Sequence, residues 1–159
     1  MSHEAILELI RRDVTAEEYD EIRRLWKRHS IAEDARDLRG LISTLTEDCV
    51  YEFPQTGHRW EGHEGAARFY TDLLTAFPDI HFDLTSIVIG PQGVYEEADV
   101  TGTWKAEWLG REPTGGAVRF RTQILFPWDP DARKFRGERM YVDGDERFGV
   151  APRQGGASG

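Results

Sequence analysis

One histidine lies where its side chain could carry proton-transfer chemistry. The segment 80-IHF-82 is predicted to begin a strand directly after the helix stop 77-FPD-79, and His81 is the second residue of that strand. Histidine titrates nearest to neutral pH, so a His81 side chain that faces a cavity could move protons. If Ile80 and Phe82 face the core, strict alternation turns His81 the other way. The sequence leaves both orientations open.

Asp143 is a second candidate, in 141-YVDGDE-146 at the end of the last predicted strand. An aspartate that points into an apolar cavity can serve as a general acid or base near neutral pH, because desolvation favours its protonated form. The alternative is a strand-end aspartate that begins a turn before Gly144.

The other histidines carry weaker signals. His29 lies on a predicted helix, where it could line the same cavity or cap the helix. His58 and His63 have glutamates nearby, yet no third convincing ligand fixes a coordination geometry, so we predict no metal. We expect the segment 54–65 to form a rim over the mouth of the cavity, with Trp60 as a lid or a packing residue.

The composition limits the possible partners. The chain has 159 residues, 39% of them hydrophobic, which suits one domain with one core. A formal net charge of -9 disfavours nucleic acid and anionic membranes as partners. The apolar runs are too short for a membrane span, we find no signal-peptide pattern, and the single cysteine, Cys49, cannot form an internal disulfide. We therefore expect a cytoplasmic protein.

The elements that would position these residues follow from hydrophobic periodicity. Apolar residues at helical spacing predict four helices, and Thr15 with Glu18 forms a capping-box pattern at the start of the second. Period-two alternation predicts one short strand and then four longer ones. The predicted helices are 3–13, 15–35, 37–45 and 63–77, and the predicted strands are 48–53, 80–90, 93–108, 117–129 and 134–143.

This order predicts an α+β fold, in which a curved antiparallel sheet wraps on the helices as a cone-shaped barrel with one open pocket. We expect a single domain over residues 1–149, with an extra N-terminal helix. The tail 150–159 is rich in Gly, Pro and Ser, and we expect it to be disordered.

Three segments carry a resemblance to a known family: 61-EGHEGAARFYTDLLTAFPD-79, 100-VTGTWKAEWLGREPTGGAVRF-120 and 134-KFRGERMYVDGDERFG-149. Together with the order of elements, they resemble the SnoaL-like polyketide cyclase and ester cyclase group. That group belongs to the nuclear-transport-factor-two-like, cystatin-like cone superfamily. The resemblance covers roughly residues 25 to 149.

The resemblance implies acid–base catalysis without a cofactor. In such cyclases an aspartate near the end of the last strand moves a proton, and Asp143 is the matching residue. The family's partner histidine falls on Trp104, which can stack on a flat ligand but cannot exchange protons as imidazole does. Related dehydratases and dehydrochlorinases pair an aspartate at the end of the long helix with a histidine on the strand after the FPD motif. The resemblance therefore implies a dyad of Asp34 and His81.

Two functions from different classes remain open. The first is a cofactor-independent enzyme, such as a cyclase, isomerase or lyase, that moves protons on an apolar cyclic or polyketide-like molecule. The second is a non-catalytic module that binds a ligand or dimerises. The residues expected to line the pocket are His29, Tyr51, Phe53, Trp60, Phe77, Trp104 and Tyr141.

The outer face of the sheet is the expected partner surface. Arg119 and Arg121 lie on one face of a predicted strand, and the segment 117–128 is rich in aromatic and arginine residues. We predict a homodimer through this face.

Overall fold

The computed structural model describes residues 2–144, and the predicted tail at 150–159 lies outside them. Four helices occur in this part of the chain: α1 (His3–Arg11), α2 (Ala16–Asp34), α3 (Leu38–Ser43) and α4 (Gly62–Ala76). The strands are β1 (Leu45–Phe53), β2 (His58–Glu61), β3 (His81–Gly90), β4 (Gly93–Thr103), β5 (Ala117–Asp129) and β6 (Lys134–Asp143).

Side-chain caps explain where the first three helices begin. The Ser2 hydroxyl accepts a hydrogen bond from the amide of Ala5, and the Thr15 hydroxyl accepts one from the amide of Glu18. Asp37 caps α3 in the same way. Each cap satisfies an amide that has no partner within its helix. None of the helices within residues 2–144 is long and apolar enough to cross a membrane.

The strands form one curved, unclosed sheet in the order β2-β1-β6-β5-β4-β3. Neighbouring strands are antiparallel, apart from the parallel pair β1 and β6. Helices α2 and α4 contribute buried faces to the core that this sheet encloses. The predicted α+β fold with a curved sheet on helices is confirmed.

Several predicted boundaries differ from the structure, and two of these differences concern the surroundings of the cavity. The segment 54–65, expected to form a rim over the mouth of the cavity, contains β2, which was not predicted as a strand and pairs with β1 as a short hairpin. The strand predicted at 93–108 ends at Thr103, because the next residues make their backbone hydrogen bonds elsewhere. The amide of Trp104 bonds to the carbonyl of Gly116, and the amide of Lys105 bonds to that of Ala76. Residues 104–116 therefore form a closed loop beside α4.

A β-bulge in β6 determines which of its side chains face the interior. Arg139 pairs with Leu125 and Phe135 pairs with Trp128, so four steps of β6 oppose three steps of β5. Gly137 lies within this bulge with a φ of 108°, and a Cβ there would lie 2.0 Å from the Val50 carbonyl oxygen. Glycine is therefore required at this position.

The bulge changes the buried positions of β6 from odd to even numbers. Phe135 is buried before the bulge, and Glu138, Met140 and Val142 are buried after it. A carboxylate thereby enters the interior on the same face as two apolar side chains.

Candidate functional site

The interior of the cone contains an apolar cavity with a few polar groups. Its free volume is ≈ 40 Å³, and twelve of its fifteen lining residues are apolar. The three polar ones are Glu33 from α2, Thr122 from β5 and Glu138 from β6. An apolar lining with a few polar groups is typical of small-molecule sites.

The loop 104–116 covers one side of this cavity. Trp108 and Leu109 from the loop line it, and the Trp108 ring lies 5.9 Å from Phe77 and 6.3 Å from Phe53, centroid to centroid. Trp108 is 6% exposed, so the loop buries this large side chain against the cavity wall.

A second, more polar cavity of ≈ 130 Å³ adjoins the first. Its lining includes Trp26, Asp34 and Glu96, and the indole N–H of Trp26 donates to Glu96 Oε2 at 2.9 Å. Glu33 and Phe82 line both cavities, so they form the wall between them.

Glu138 is the centre of a buried hydrogen-bond network. Its Oε1 accepts a hydrogen bond from the Tyr70 hydroxyl at 2.7 Å and lies 3.0 Å from His29 Nε2. The other ring nitrogen of His29 lies 2.7 Å from the Thr44 hydroxyl oxygen. Tyr51 extends the network, since its hydroxyl lies 3.3 Å from that of Tyr70.

The donors in this network fix the tautomer of His29. Thr44 donates its only hydroxyl proton to the carbonyl of Leu41, at 2.7 Å. The Thr44 oxygen can therefore only accept from His29, so Nδ1 must carry a proton. Nε2 lies 3.0 Å from Glu138 Oε1 and 3.0 Å from the Tyr70 hydroxyl oxygen. Because Tyr70 donates its only proton to Glu138, the proton between Nε2 and Oε1 is carried by the imidazole or by the carboxyl.

Two neighbouring carboxyl groups hold protons near neutral pH. Burial raises the pKa of Glu33 to about 8, and the charge of Glu138 adds to this shift. Burial also raises the pKa of Glu96 to about 8, again with a contribution from Glu138. The same two causes raise the pKa values of Tyr51 and Tyr70 well above their usual range.

The three residues predicted to be catalytic do not converge on the apolar cavity. His81 and Asp143 are exposed, and neither is among the residues that line the two cavities. Asp34 is exposed at the end of α2 and lines the second cavity. His81 takes the outward orientation that alternation predicts, with Ile80 buried and Phe82 partly buried beside it.

The residues predicted to line the pocket divide into three groups. Phe53 and Phe77 line the apolar cavity, and His29 lines the second one. Tyr51 and Trp104 are buried behind these walls, and Trp60 is partly buried against Phe53. Tyr141 is 39% exposed, since the bulge turns it away from the interior.

The remaining histidines bond to nearby groups. The His58 ring lies 2.7 Å from the Thr56 hydroxyl, and His63 Nε2 lies 3.2 Å from the carbonyl oxygen of Leu45. Within residues 2–144 no group of three or more His, Cys, Asp or Glu side chains is placed to hold a metal ion.

Sequence reasoning missed Glu33, Glu96 and Glu138, although periodicity contained a signal for each. Glu33 follows His29 by four residues, which places both on one face of α2, whereas Asp34 follows by five. Glu96 shares the buried register of β4 with Val94, Ala98 and Val100, and Glu138 shares that of β6 with Met140 and Val142. A carboxylate in an apolar register indicates a buried acid.

Comparisons with solved structures agree on the fold. A candidate SnoaL-like polyketide cyclase from Jannaschia sp. CCS1 superposes with a TM-score of 0.72, at 19% identity over 89% of this chain and 99% of its own. AclR from Streptomyces galilaeus, a candidate hydroxylase, gives 0.66 at 21% identity, covering 87% and 91%.

A third solved structure with a similar fold is a protein from Catenulispora acidiphila, described as having a ketosteroid isomerase-like fold. It superposes with a TM-score of 0.62 at 13% identity, covering 80% of this chain and 93% of its own. No curated protein matches the sequence.

The sequence itself matches a family. The family model described as a SnoaL-like domain matches residues 22–133, from the second turn of α2 to the turn before β6. That range is more than half of the chain and includes Glu33, Glu96 and Thr122. The chain therefore belongs to the SnoaL-like domain family.

Proposed function

We propose that this protein is a cofactor-independent enzyme that moves protons on a small apolar cyclic molecule held in the cone. The observation that carries the proposal is the lining of the apolar cavity. Two carboxyl side chains, Glu33 and Glu138, line the same apolar space: burial raises the pKa of Glu33 to about 8, and Glu138 Oε1 lies 3.0 Å from His29 Nε2. Pairs of titratable groups with different environments are typical of acid–base sites.

Glu138 is the group that we assign as general base. The hydrogen bond from Tyr70 and the contact with His29 Nε2 both involve Oε1, which leaves Oε2 to accept a proton from carbon. The proton between Glu138 and His29 can move onto the imidazole, so that the carboxylate is available while the network keeps its hydrogen bonds.

Glu33 is the group that we assign as general acid. With its pKa raised to about 8, it is mostly protonated at neutral pH and can donate to an oxygen on which negative charge develops. Its position on the wall of the second cavity gives it a polar side through which a proton can be replaced.

Entry of a ring-sized ligand requires a larger cavity than ≈ 40 Å³. Trp108 and Leu109 lie on the loop 104–116, outside the sheet and helices, so this loop is the segment that we expect to move. Leu109 has a φ of 51° and is followed by Gly110, also at positive φ, which gives the loop the backbone of a tight turn.

A nitrobenzisoxazole tests the proposal without knowledge of the natural substrate. A base removes its ring C–H proton, the C–H electrons form a nitrile, and the N–O bond breaks to release a coloured phenolate. We expect the wild type to accelerate this reaction over buffer, and Glu138→Gln to lower the rate about 100-fold, as loss of a positioned base does. Asp143→Asn and His81→Ala serve as matched surface controls and should retain the wild-type rate.

Equal rates for the wild type and Glu138→Gln would contradict this assignment. If nitrobenzisoxazole bound with the same affinity to both proteins but neither accelerated its opening, the cone would be a binding module.

We also propose that a second copy of the chain packs on the outer face of the sheet. Arg119, Arg121 and Tyr141 are exposed on β5 and β6, and Val88 is an exposed apolar residue on β3. Sedimentation equilibrium should give twice the mass of one chain, and a clean monomer would contradict the dimer.

A further inference from the structure

Thr122 has an unexplained hydroxyl group on the wall of the apolar cavity. Its side chain is buried, at 5% exposure, and its Oγ1 has no hydrogen-bond partner among the residues that the structure describes. It lies on the inward face of β5 between Phe120 and Ile124, which line the same cavity.

A purely structural role does not account for this hydroxyl. Leaving a buried hydroxyl without a partner costs about 1–3 kcal/mol. Valine has nearly the same shape and would fill the position at lower cost. Buried polar groups without partners call for a specific explanation, and a bound ligand is one that fits a residue in a cavity wall.

We propose that the Thr122 hydroxyl donates a hydrogen bond to an oxygen atom of the substrate, and that the substrate is an apolar ring compound bearing a carbonyl group. The inference rests on the proposed function, because it takes the apolar cavity as the substrate site. Thr122 would then determine which substrates bind.

The neighbouring polar groups favour a carbonyl over a hydroxyl. Glu33 is protonated near neutral pH and, like Thr122, offers a donor, so the two face the cavity as a pair of donors. A carbonyl oxygen can accept from both. A carbonyl also acidifies the adjacent C–H bonds, so that Glu138 can remove a proton from one of them. The negative charge that develops on the carbonyl oxygen is then stabilised by the two donors.

A pair of simple ligands tests the role of the oxygen. Acetophenone and ethylbenzene are similar in size, but only acetophenone has a carbonyl. NMR titration should show that Thr122→Val weakens acetophenone binding about fivefold to tenfold, the usual net value of one hydrogen bond, and leaves ethylbenzene binding within about twofold.

Thr46→Val is the matched control. Thr46 is also 5% exposed with an unpartnered Oγ1, but it is not among the residues that line the apolar cavity. Its replacement should leave the affinities for both ligands unchanged. Thermal unfolding without ligand checks that each variant folds, and we expect neither to be less stable than the wild type, because each loses an unsatisfied hydroxyl.

Three results would overturn the proposal: no binding of either ligand to the wild type, equal weakening of both ligands by Thr122→Val, or no effect on acetophenone. The same titration with Glu138→Gln separates this inference from the proposed function. One outcome is that Thr122→Val still selectively weakens acetophenone binding in the Glu138→Gln background, while neither the wild type nor any variant accelerates nitrobenzisoxazole opening. In that case the Thr122 site stands and the catalytic role fails.

Discussion

Glu138 and Asp143 lie five residues apart on the same strand, yet their surroundings are opposite. Glu138 is 4% exposed and bonds to Tyr70 and His29, whereas Asp143 is exposed on the outer face. The bulge at Gly137 and the alternation after it assign the two carboxylates to different faces. The backbone register of β6 thus determines which carboxylate faces the interior, where it can do chemistry. The distance of a residue from the end of the strand matters less.

Substitutions on the two faces of β6 should differ most in their effect on the free energy of unfolding. Glu138→Ala leaves the Tyr70 hydroxyl and His29 without their shared partner inside the core, and we expect a loss of about 3–5 kcal/mol in the free energy of unfolding. Asp143→Ala removes an exposed group and should change it by less than about 0.5 kcal/mol. Urea denaturation of both variants measures the difference, and equal losses would break the comparison.

The bulge itself is the next target. Gly137→Ala places a Cβ against the Val50 carbonyl at positive φ, so we expect a loss of about 2–4 kcal/mol. Gly90→Ala, on β3, meets no atom within 4 Å and is the control, with an expected change under about 1 kcal/mol. If Gly137→Ala were as stable as Gly90→Ala in thermal unfolding, the bulge would not need glycine.

The pH dependence of stability should differ between Glu96, on the inner face of β4, and Asp99, on its outer face. The pKa of Glu96 is about 8 in the folded chain against an ordinary value of 4.5, so the folded state retains a proton that the unfolded state releases between these values. Stability contributed by this group is complete below pH 4.5 and is lost as the pH rises toward 8, with a slope of up to about 1.4 kcal/mol per pH unit.

Glu96→Gln should remove this contribution and leave the slope that Glu33 contributes, because the amide oxygen can still accept the Trp26 indole N–H and no proton is exchanged at position 96. Asp99→Asn is the outer-face control on β4, where Asp99 forms an ion pair with Arg121. Denaturation midpoints measured from pH 5 to pH 8 check both variants. An unchanged slope in Glu96→Gln would mean that Glu96 is ionised throughout.

The smallest expected effect concerns two tyrosines. Tyr70→Phe removes the hydroxyl that donates to Glu138, and we expect a loss of about 1–1.5 kcal/mol. Tyr141→Phe, on the outer face of β6, should be close to neutral. Chemical denaturation distinguishes them, and a neutral Tyr70→Phe would indicate that Glu138 is satisfied by His29 alone.

The sequence was sufficient for the fold because long segments followed one period. Alternation placed β3, β5 and β6 within a residue of their observed bounds, and the capping pattern at Thr15 placed the start of α2. The loop 104–116 was predicted only from residue 109, and residues 104–108 were assigned to a strand. The end of β4 depends on backbone bonds from Trp104 to Gly116 and from Lys105 to Ala76, and these partners are distant in the chain.

The site was less predictable, because the residues that face the interior depend on the phase of the alternation in each strand and of the helical period in each helix. If alternation continued unbroken from Phe135, Tyr141 and Asp143 would face inward, and the bulge at Gly137 reverses this. Similarly, one step along α2 separates Glu33, which lines both cavities, from the exposed Asp34. Periodicity could have marked Glu33 and Glu138, but the unpartnered hydroxyl of Thr122 is visible only in three dimensions.

The central claim is that two interior carboxyl groups, Glu33 and Glu96, hold protons near neutral pH. Carboxyl-carbon NMR of wild-type protein labelled at glutamate, with Glu33→Gln and Glu96→Gln to assign the signals, tests it directly. We predict that Glu33 and Glu96 remain protonated at pH 6.5 and titrate with pKa values of about 8. Ionisation of both groups near the ordinary value of 4.5 would contradict the account.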